Sequence, residues 1–266
     1  MEKKRPKAPL LCHVILFAAL LALFIPAVYL VISSFWESSA DSTLTLKWYS
    51  QVFSDQTLQE AMLRSLGLAA ASALATVILS TGAAVALQSE RFAFSPLLNS
   101  LSLASLVLPE LVFALSLLAW FFVVQFELSL VTVFFSHITF GLPFSMMVIR
   151  TRLKTLDPLV SEAAQDLGAR DLQIFWKVTL PQILPALVSA YILVFLLSFD
   201  DFLITFFTNG VGSDTLPIRL YTSMKMGLSP KLNALSALML LVTSILVFIL
   251  ARSSAVREMI SSQNEK

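Results

Sequence analysis

Three carboxylates stand where carboxylates are expensive. Glu110, Asp200 and Asp201 lie in stretches otherwise built of Leu, Val, Phe, Ile and Ala. A charge at the centre of a bilayer costs about 2.5–3.5 kcal/mol on insertion scales, so such groups usually face a cavity or a partner. Asp200 and Asp201 are neighbours, about 100° apart around a helix, so both cannot point in one direction. One can face a pathway while the other pairs within or between subunits, and two adjacent carboxylates repel unless a cation sits nearby. Two readings stay open: a cation-attracting patch on a transport path, or a structural pair that caps a broken helix or binds another subunit's hydroxyls. The same choice applies to Glu110. His137, about a third of the way into its span from the outer face, suits a gate or proton relay, or plain hydrogen-bonded packing. The spans carry no Lys or Arg at depth, apart from Arg64 near an edge. A path for sulfate, phosphate or molybdate would present positive groups or helix N-termini, so the balance favours a cationic cargo.

The elements that position these residues follow from composition. The 266-residue chain is 57% hydrophobic and 13% charged, against about 25% charged in a soluble domain, which makes it an all-α integral membrane protein. With about 20 apolar residues per span, six transmembrane helices are expected, over 10–34, 61–87, 97–123, 128–149, 186–208 and 232–251, between a short segment 1–9 and a tail 252–266. The first apolar run follows Lys3, Lys4, Arg5 and Lys7 but is too long for a signal-peptide core of about 7–15 residues, so it reads as an uncleaved span. The second span is rich in Ala, Ser and Thr, with Gly67 and Gly82, which suits close helix approach in a subunit interface or within its own bundle. Trp120, Phe121 and Phe122 read as an interfacial belt.

Placing both termini inside puts 13 of the 18 Lys and Arg on the inner side, leaving Lys47, Arg64, Arg219, Lys225 and Lys231 outside, as the positive-inside rule asks. The net charge of +1 gives no basis for nucleic-acid binding. Cys12 is the single cysteine, which excludes an intrachain disulfide and argues against a cysteine-based metal site. Enzyme readings are poorly supported: the Gly-x-Ser-Gly pattern of an intramembrane serine protease is missing, and so is a P-loop lysine motif.

The inner loop 150–185 carries the most structured polar stretch. Asp157 can cap a helix with Pro158 at its first position, and Gly168 can end it in the left-handed conformation. Asp171 can cap a second short helix with Ile174, Phe175 and Val178 on one face, and Pro181 and Pro185 discourage that helix from running straight into the next span. The result is a helical knob at the membrane surface, free to dock on something, although an ordinary amphipathic loop has the same outline. Trp176 can anchor it to the membrane or to a partner. On the other side, Leu216 to Met224 reads as a short amphipathic helix starting near Pro217, either a gate or docking surface or a loop folded back on the bundle.

The spacing Glu162-Ala163-Ala164, then Gly168, then Leu180-Pro181 resembles the EAA loop of ABC importer permeases. Ser136-His137-Ile138-Thr139-Phe140, Leu142-Pro143-Phe144 and Arg152-Leu153 resemble the spermidine/putrescine-type permeases, and Leu197-Ser198-Phe199-Asp200-Asp201-Phe202 is similar to the Ser-x-Asp-Asp signature of the permease subunit conventionally labelled C. The resemblance covers about Leu10 to Ala251 and departs at Ser161, where many relatives are acidic. It implies a type I, MetI-like permease fold with cytoplasmic coupling helices. Glu162, Ala163, Ala164, Asp166, Gly168, Ala169, Phe175, Leu180 and Pro181 would couple to the ATPase, and Asp200, Asp201, Glu110 and His137 are the substrate-path candidates. The implied partners are a second permease, two copies of a cytoplasmic ABC ATPase, an extracytoplasmic polyamine-binding protein and the lipid bilayer. ATP and Mg would be bound by the ATPase, with no cofactor in this chain. The same architecture carrying ferric iron or another organic cation, and a secondary transporter or channel without an ATPase, are the alternatives.

Overall fold

The computed structural model describes residues 10–37, 43–88, 100, 106–227 and 229–252, and these are helical apart from turns and an isolated antiparallel bridge between Trp36 and Leu44. The helices are α1 (Leu10–Ser33), α2 (Lys47–Ser54), α3 (Gln56–Gln88), α4 (Glu110–Val123), α5 (Leu130–Leu153), α6 (Pro158–Asp166) and α7 (Asp171–Ile174). A π-helical turn Phe175–Thr179 follows, then α8 (Leu180–Phe199), α9 (Leu203–Thr208), α10 (Leu216–Lys225) and α11 (Pro230–Arg252).

Among the described residues, five runs are long and apolar enough to cross a membrane: Val14–Ser33, Gln56–Leu87, Leu130–Leu153, Asp171–Phe199 and Pro230–Arg252. The span expected at 97–123 is represented by the shorter α4, because 97–99 and 101–105 lie outside the described residues. The expected segment 1–9, the tail beyond Arg252, and Glu90 and Arg91 also lie outside them.

The chain divides into two compact units. The first comprises Met1–Gln59 and Leu220–Leu241. Its polar contacts tie helix ends together: Trp48 Nε1 donates to the Trp36 carbonyl at 2.9 Å, the Ser34 and Tyr49 hydroxyls meet at 2.6 Å, and Lys231 Nζ reaches Asp55 Oδ2 at 2.6 Å. Asp55 also accepts from the backbone N–H groups of Thr57 and Leu58, and so caps the start of α3.

The second unit, Glu60–Arg219 with Val242–Lys266, holds the main core. Val77, Ala84 and Leu87 of α3 pack with Met146, Ile149 and Leu153 of α5 and with Ile183, Ala186 and Ala190 of α8. Small residues set the spacing. A Cβ at Gly141 would lie 2.8 Å from Val194 Cγ1, and the Ser80 and Ser145 hydroxyls meet at 2.5 Å. Ala69, Ser72, Ala73, Thr76 and Ser80 are all buried, so the small-residue face of α3 packs within this chain's own bundle, where van der Waals contact and hydroxyl bonds replace water exclusion as the driving force. The residues before and at the start of α10 fold back on the same unit: Leu216 N–H donates to Ser65 Oγ at 2.8 Å, and Leu216, Pro217 and Ile218 are buried.

Two local features refine the expected outline. The knob's second helix leads into the next span as one helical run, Asp171–Phe199, interrupted by a π-helical turn ahead of Pro181. The π-helical turn widens the backbone just before Pro181, which occupies the second position of α8, where a missing N–H and a bulky ring are tolerated. The span expected over 186–208 is interrupted at Asp200–Phe202, between α8 and α9, in keeping with the reading of the acidic pair as the cap of a broken helix.

Candidate functional site: an acidic cavity at a broken helix

The break is made by a side chain. The Asp201 carboxylate accepts from the Ile204 N–H at 3.3 Å and the Thr205 N–H at 2.7 Å, satisfying backbone donors that α9 leaves free at its start. The Thr205 hydroxyl donates to Asp201 Oδ2 at 2.6 Å. A carboxylate at this position also meets the positive end of the short helix.

His137 joins this corner to α5. Its Nε2 lies 3.2 Å from Asp201 Oδ2 and 3.0 Å from Thr205 Oγ1, and its Nδ1 lies 2.6 Å from Ser198 Oγ. Ser198 in turn contacts Ser72 Oγ of α3 at 3.3 Å, and the Ser72 hydroxyl donates to the Leu68 carbonyl. The side chains of His137 and Asp201 are only 2% and 3% exposed, so charge here is held by pairing rather than by water.

Asp200 behaves differently. It ends α8, with its N–H donating to the Leu196 carbonyl at 3.1 Å, and its side chain is exposed. Asp200, Asp201 and Glu110 line a cavity of about 360 Å³ whose apolar wall includes Phe140, Leu193, Leu196 and Leu197. Glu110 is the first residue of α4, directly after Pro109, where a helix start favours an anion. The structure therefore brings together all four residues that the sequence singled out: Glu110 and Asp200 are exposed at the cavity, with the Glu110 side chain hydrogen-bonded to Asp201, whereas His137 and Asp201 are themselves buried in a network. Ser198, Thr205 and Ser72 complete that network. Thr205 was legible as the residue one helical turn after Asp201, whereas Ser72 carries no local signal.

The N-terminal end of α5 and the C-terminal end of α9 are pinned. Thr132 Oγ1 lies 2.6 Å from the Thr208 carbonyl, and a Cβ on Gly210 would sit 2.1 Å from the Leu128 carbonyl oxygen. At the other end, Asp157 accepts from the Leu159 N–H at 3.0 Å with Pro158 as the first residue of α6, and Gly168 has φ +84°. Glu162, Ala163, Asp166, Gly168 and Pro181 are exposed, with Ala164, Ala169, Phe175 and Leu180 half-buried beneath them. Leu159, Leu167, Leu172 and Trp176 present apolar surface on the same knob.

A membrane helix bundle that encloses an acidic cavity at a broken helix, and carries an exposed helical knob on one long run of chain, defines the transmembrane subunit of a transporter. Residues 77–257 match the family described as binding-protein-dependent transport system inner membrane component, and the chain belongs to that family. It is 35% identical over 228 residues to the spermidine/putrescine transport system permease protein PotC of Escherichia coli (strain K12), covering 85% of this chain and 86% of that protein. It is 37% identical over 246 residues to the putrescine transport system permease protein PotI of the same strain, covering 89% and 88%. Among solved structures, a bacterial ABC transporter that imports the acidic polysaccharide alginate matches with TM-score 0.71 at 15% identity, over 94% of this chain and 99% of that one. The MetNI methionine ABC transporter in inward-facing form matches with TM-score 0.59 at 16% identity, over 74% and 96%. The fold is thus that of the MetI-like ABC importer permeases.

Proposed function

We propose that this chain is one permease subunit of an ATP-driven importer that carries polyamines across a bacterial inner membrane. A second permease completes the pathway, two copies of a cytoplasmic ATPase bind ATP and Mg and drive it, and an extracytoplasmic binding protein delivers the cargo. Both termini and the Glu162–Pro181 knob lie on the cytoplasmic side.

The observation that carries this reading is the cavity at the helix break. Polyamine ammonium groups have lysine-like pKa values of about 10, so the cargo arrives as a polycation. Glu110 and Asp200 offer it carboxylates against an apolar wall that accommodates its methylene chain. The relatives named for spermidine and putrescine transport point to the same cargo class. An anionic cargo is disfavoured by the same cavity through like-charge repulsion.

Energy input has a structural route. The run Asp171–Phe199 is 29 residues long, roughly 40 Å at 1.5 Å per residue, and it joins the knob to Asp200 by continuous helical backbone that passes through the π-helical turn and Pro185. A push by the ATPase on α6, α7 and the apolar residues around them is transmitted along this rod to the acidic corner. The test is uptake of radiolabelled spermidine and putrescine into proteoliposomes holding the assembled complex, with and without ATP inside. ATP-dependent accumulation of either amine is expected; its absence for both contradicts the reading.

A further inference from the structure

We propose that the turn between α4 and α5 is a second binding site for cargo, a half-cage of phenylalanine rings with one carboxylate that takes an alkylammonium group on its way to the acidic cavity. This rests on the cargo being a polyamine, as proposed above.

The turn is built with an unexpected residue. Two hydrogen bonds close the end of α4: the Phe126 N–H donates to the Phe121 carbonyl at 2.9 Å, and the Gln125 N–H to the Phe122 carbonyl at 3.2 Å. This pattern needs a left-handed residue just past the helix, usually glycine. Here that residue is Gln125, with φ +52°, the one non-glycine residue of positive φ among the described residues. Glycine would make the same turn without steric cost, so a side chain is carried here against the preference of its own backbone. That side chain lines a cavity of about 440 Å³.

The walls of this cavity suit a cation. Phe121, Phe122, Phe126, Glu127 and Leu128 complete the lining. The turn sets the Phe121 and Phe126 rings 6.2 Å apart, inclined at 42°. Phe121 is 8% exposed whereas its neighbour Trp120 is 60% exposed, so Phe121 faces into the protein and does not join an interfacial belt. Aromatic faces are electronegative and attract ammonium groups. Glu127 is exposed and has no hydrogen bond or ion pair among the described residues. Its carboxylate supplies the charge-assisted contact, and the Gln125 amide oxygen adds an acceptor. An anion would be repelled by the same set.

The turn is coupled to the acidic cavity by two helices. α4 begins at Glu110 and ends beside the turn, so one helix of 14 residues, roughly 20 Å long, carries a carboxylate site at each end. α9 begins at the helix break and packs along α4. Its far end is held at the turn, where Gly210 meets the Leu128 carbonyl. α5 leads from this turn to the loop that carries the knob, and it is long enough to cross the membrane. The turn therefore lies at the membrane face opposite the knob, the side from which a binding protein would deliver cargo.

The test is equilibrium binding of radiolabelled spermidine to the full assembled complex in uncharged detergent, without ATP or binding protein. Glu110→Gln with Asp200→Asn silences the acidic cavity, so the binding that remains reports the turn. Saturable binding should persist in that background, and adding Glu127→Gln should weaken it about five-fold or more. Phenylalanines carrying one and then three ring fluorines at position 126 keep the ring's shape while draining its electronegative face. Affinity should fall in that order, which a ring that merely packs would not show. No saturable binding in the cavity-silenced complex, or binding unchanged by Glu127→Gln, overturns the proposal. If the fluorinated chains do not assemble, Glu127→Gln decides alone, because Glu127 is exposed. Displacement of spermidine by an equimolar amount of phosphatidylethanolamine overturns the assignment to cargo in favour of a lipid headgroup. Should the unsubstituted complex accumulate neither amine with ATP, the cargo reading fails, and the binding measurement still decides whether the turn holds an alkylammonium.

Discussion

Asp200 and Asp201 are adjacent in sequence and opposite in environment: Asp200 is exposed at the cavity, whereas the Asp201 side chain is 3% exposed and lies 3.2 Å from His137 Nε2. The sequence showed only that both could not face one way. The break in the helix decides which one does, because Asp201 turns inward to cap α9 while Asp200 remains on the last turn of α8.

Substitution separates the two roles. Asp201→Asn removes a buried carboxylate that accepts from the Ile204 and Thr205 N–H groups and the Thr205 hydroxyl, which costs about 1–3 kcal/mol for a buried network left unsatisfied, and should lower the thermal stability of the purified complex. Asp200→Asn should leave that midpoint within experimental scatter while depressing uptake. Equal thermal shifts for the two variants would contradict the division of labour.

Gly210 is a steric requirement. A Cβ there would sit 2.1 Å from the Leu128 carbonyl oxygen, so Gly210→Ala must push the α9 terminus off α5. Such overpacking costs about 1–3 kcal/mol, which should appear as a lowered unfolding temperature. A variant as stable as the parent would show that the clamp between Gly210 and Leu128 is loose.

Gly168 answers a different constraint. Its φ of +84° is available to glycine and forbidden to proline, so Gly168→Pro should distort the turn between α6 and α7 while leaving the membrane bundle intact. The two permeases should still co-purify, with the ATPase lost or its hydrolysis uncoupled from uptake. Normal transport in this variant would contradict the docking role of the knob.

The Asp55–Lys231 pair gives a pH signature. The Lys231 ammonium, helped by the Thr57 hydroxyl, holds the Asp55 carboxyl far below the usual carboxylate range. A depressed native value stabilises the fold above the unfolded pKa of about 3.9, and this contribution is lost as pH falls through the native value. Stability attributable to the pair should therefore be flat from pH 5 to 8. Both side chains are more than a quarter exposed, so Lys231→Met should cost only about 0.5–1 kcal/mol at neutral pH, read from unfolding midpoints across that range. A cost that varies between pH 5 and 8 would assign the effect to another group.

Much of this architecture was legible because its signals are local. Spans follow from runs of apolar residues, and the knob follows from Asp157, Pro158 and Gly168, whose cap and left-handed turn need only near neighbours. The break at Asp200–Phe202 was legible only as one of two readings of the acidic pair, since a continuous apolar run around two aspartates also looks like one helix. It is created by Asp201 capping its own downstream backbone and by His137, 64 residues earlier in sequence. Pro181 and Pro185 signalled that the knob's second helix would not run straight into the next span, but not that a π-helical turn would precede Pro181. The Ser72 contact could not be foreseen, because buried serines are common on every tightly packed membrane helix.

The central claim is that the exposed carboxylates Glu110 and Asp200 at the helix break carry a polycation. Its most direct test is ATP-dependent spermidine and putrescine uptake by reconstituted complex bearing Glu110→Gln together with Asp200→Asn. The account predicts loss of most uptake, with assembly and thermal stability retained. Uptake and amine-stimulated ATP hydrolysis equal to those of the unsubstituted complex would contradict it.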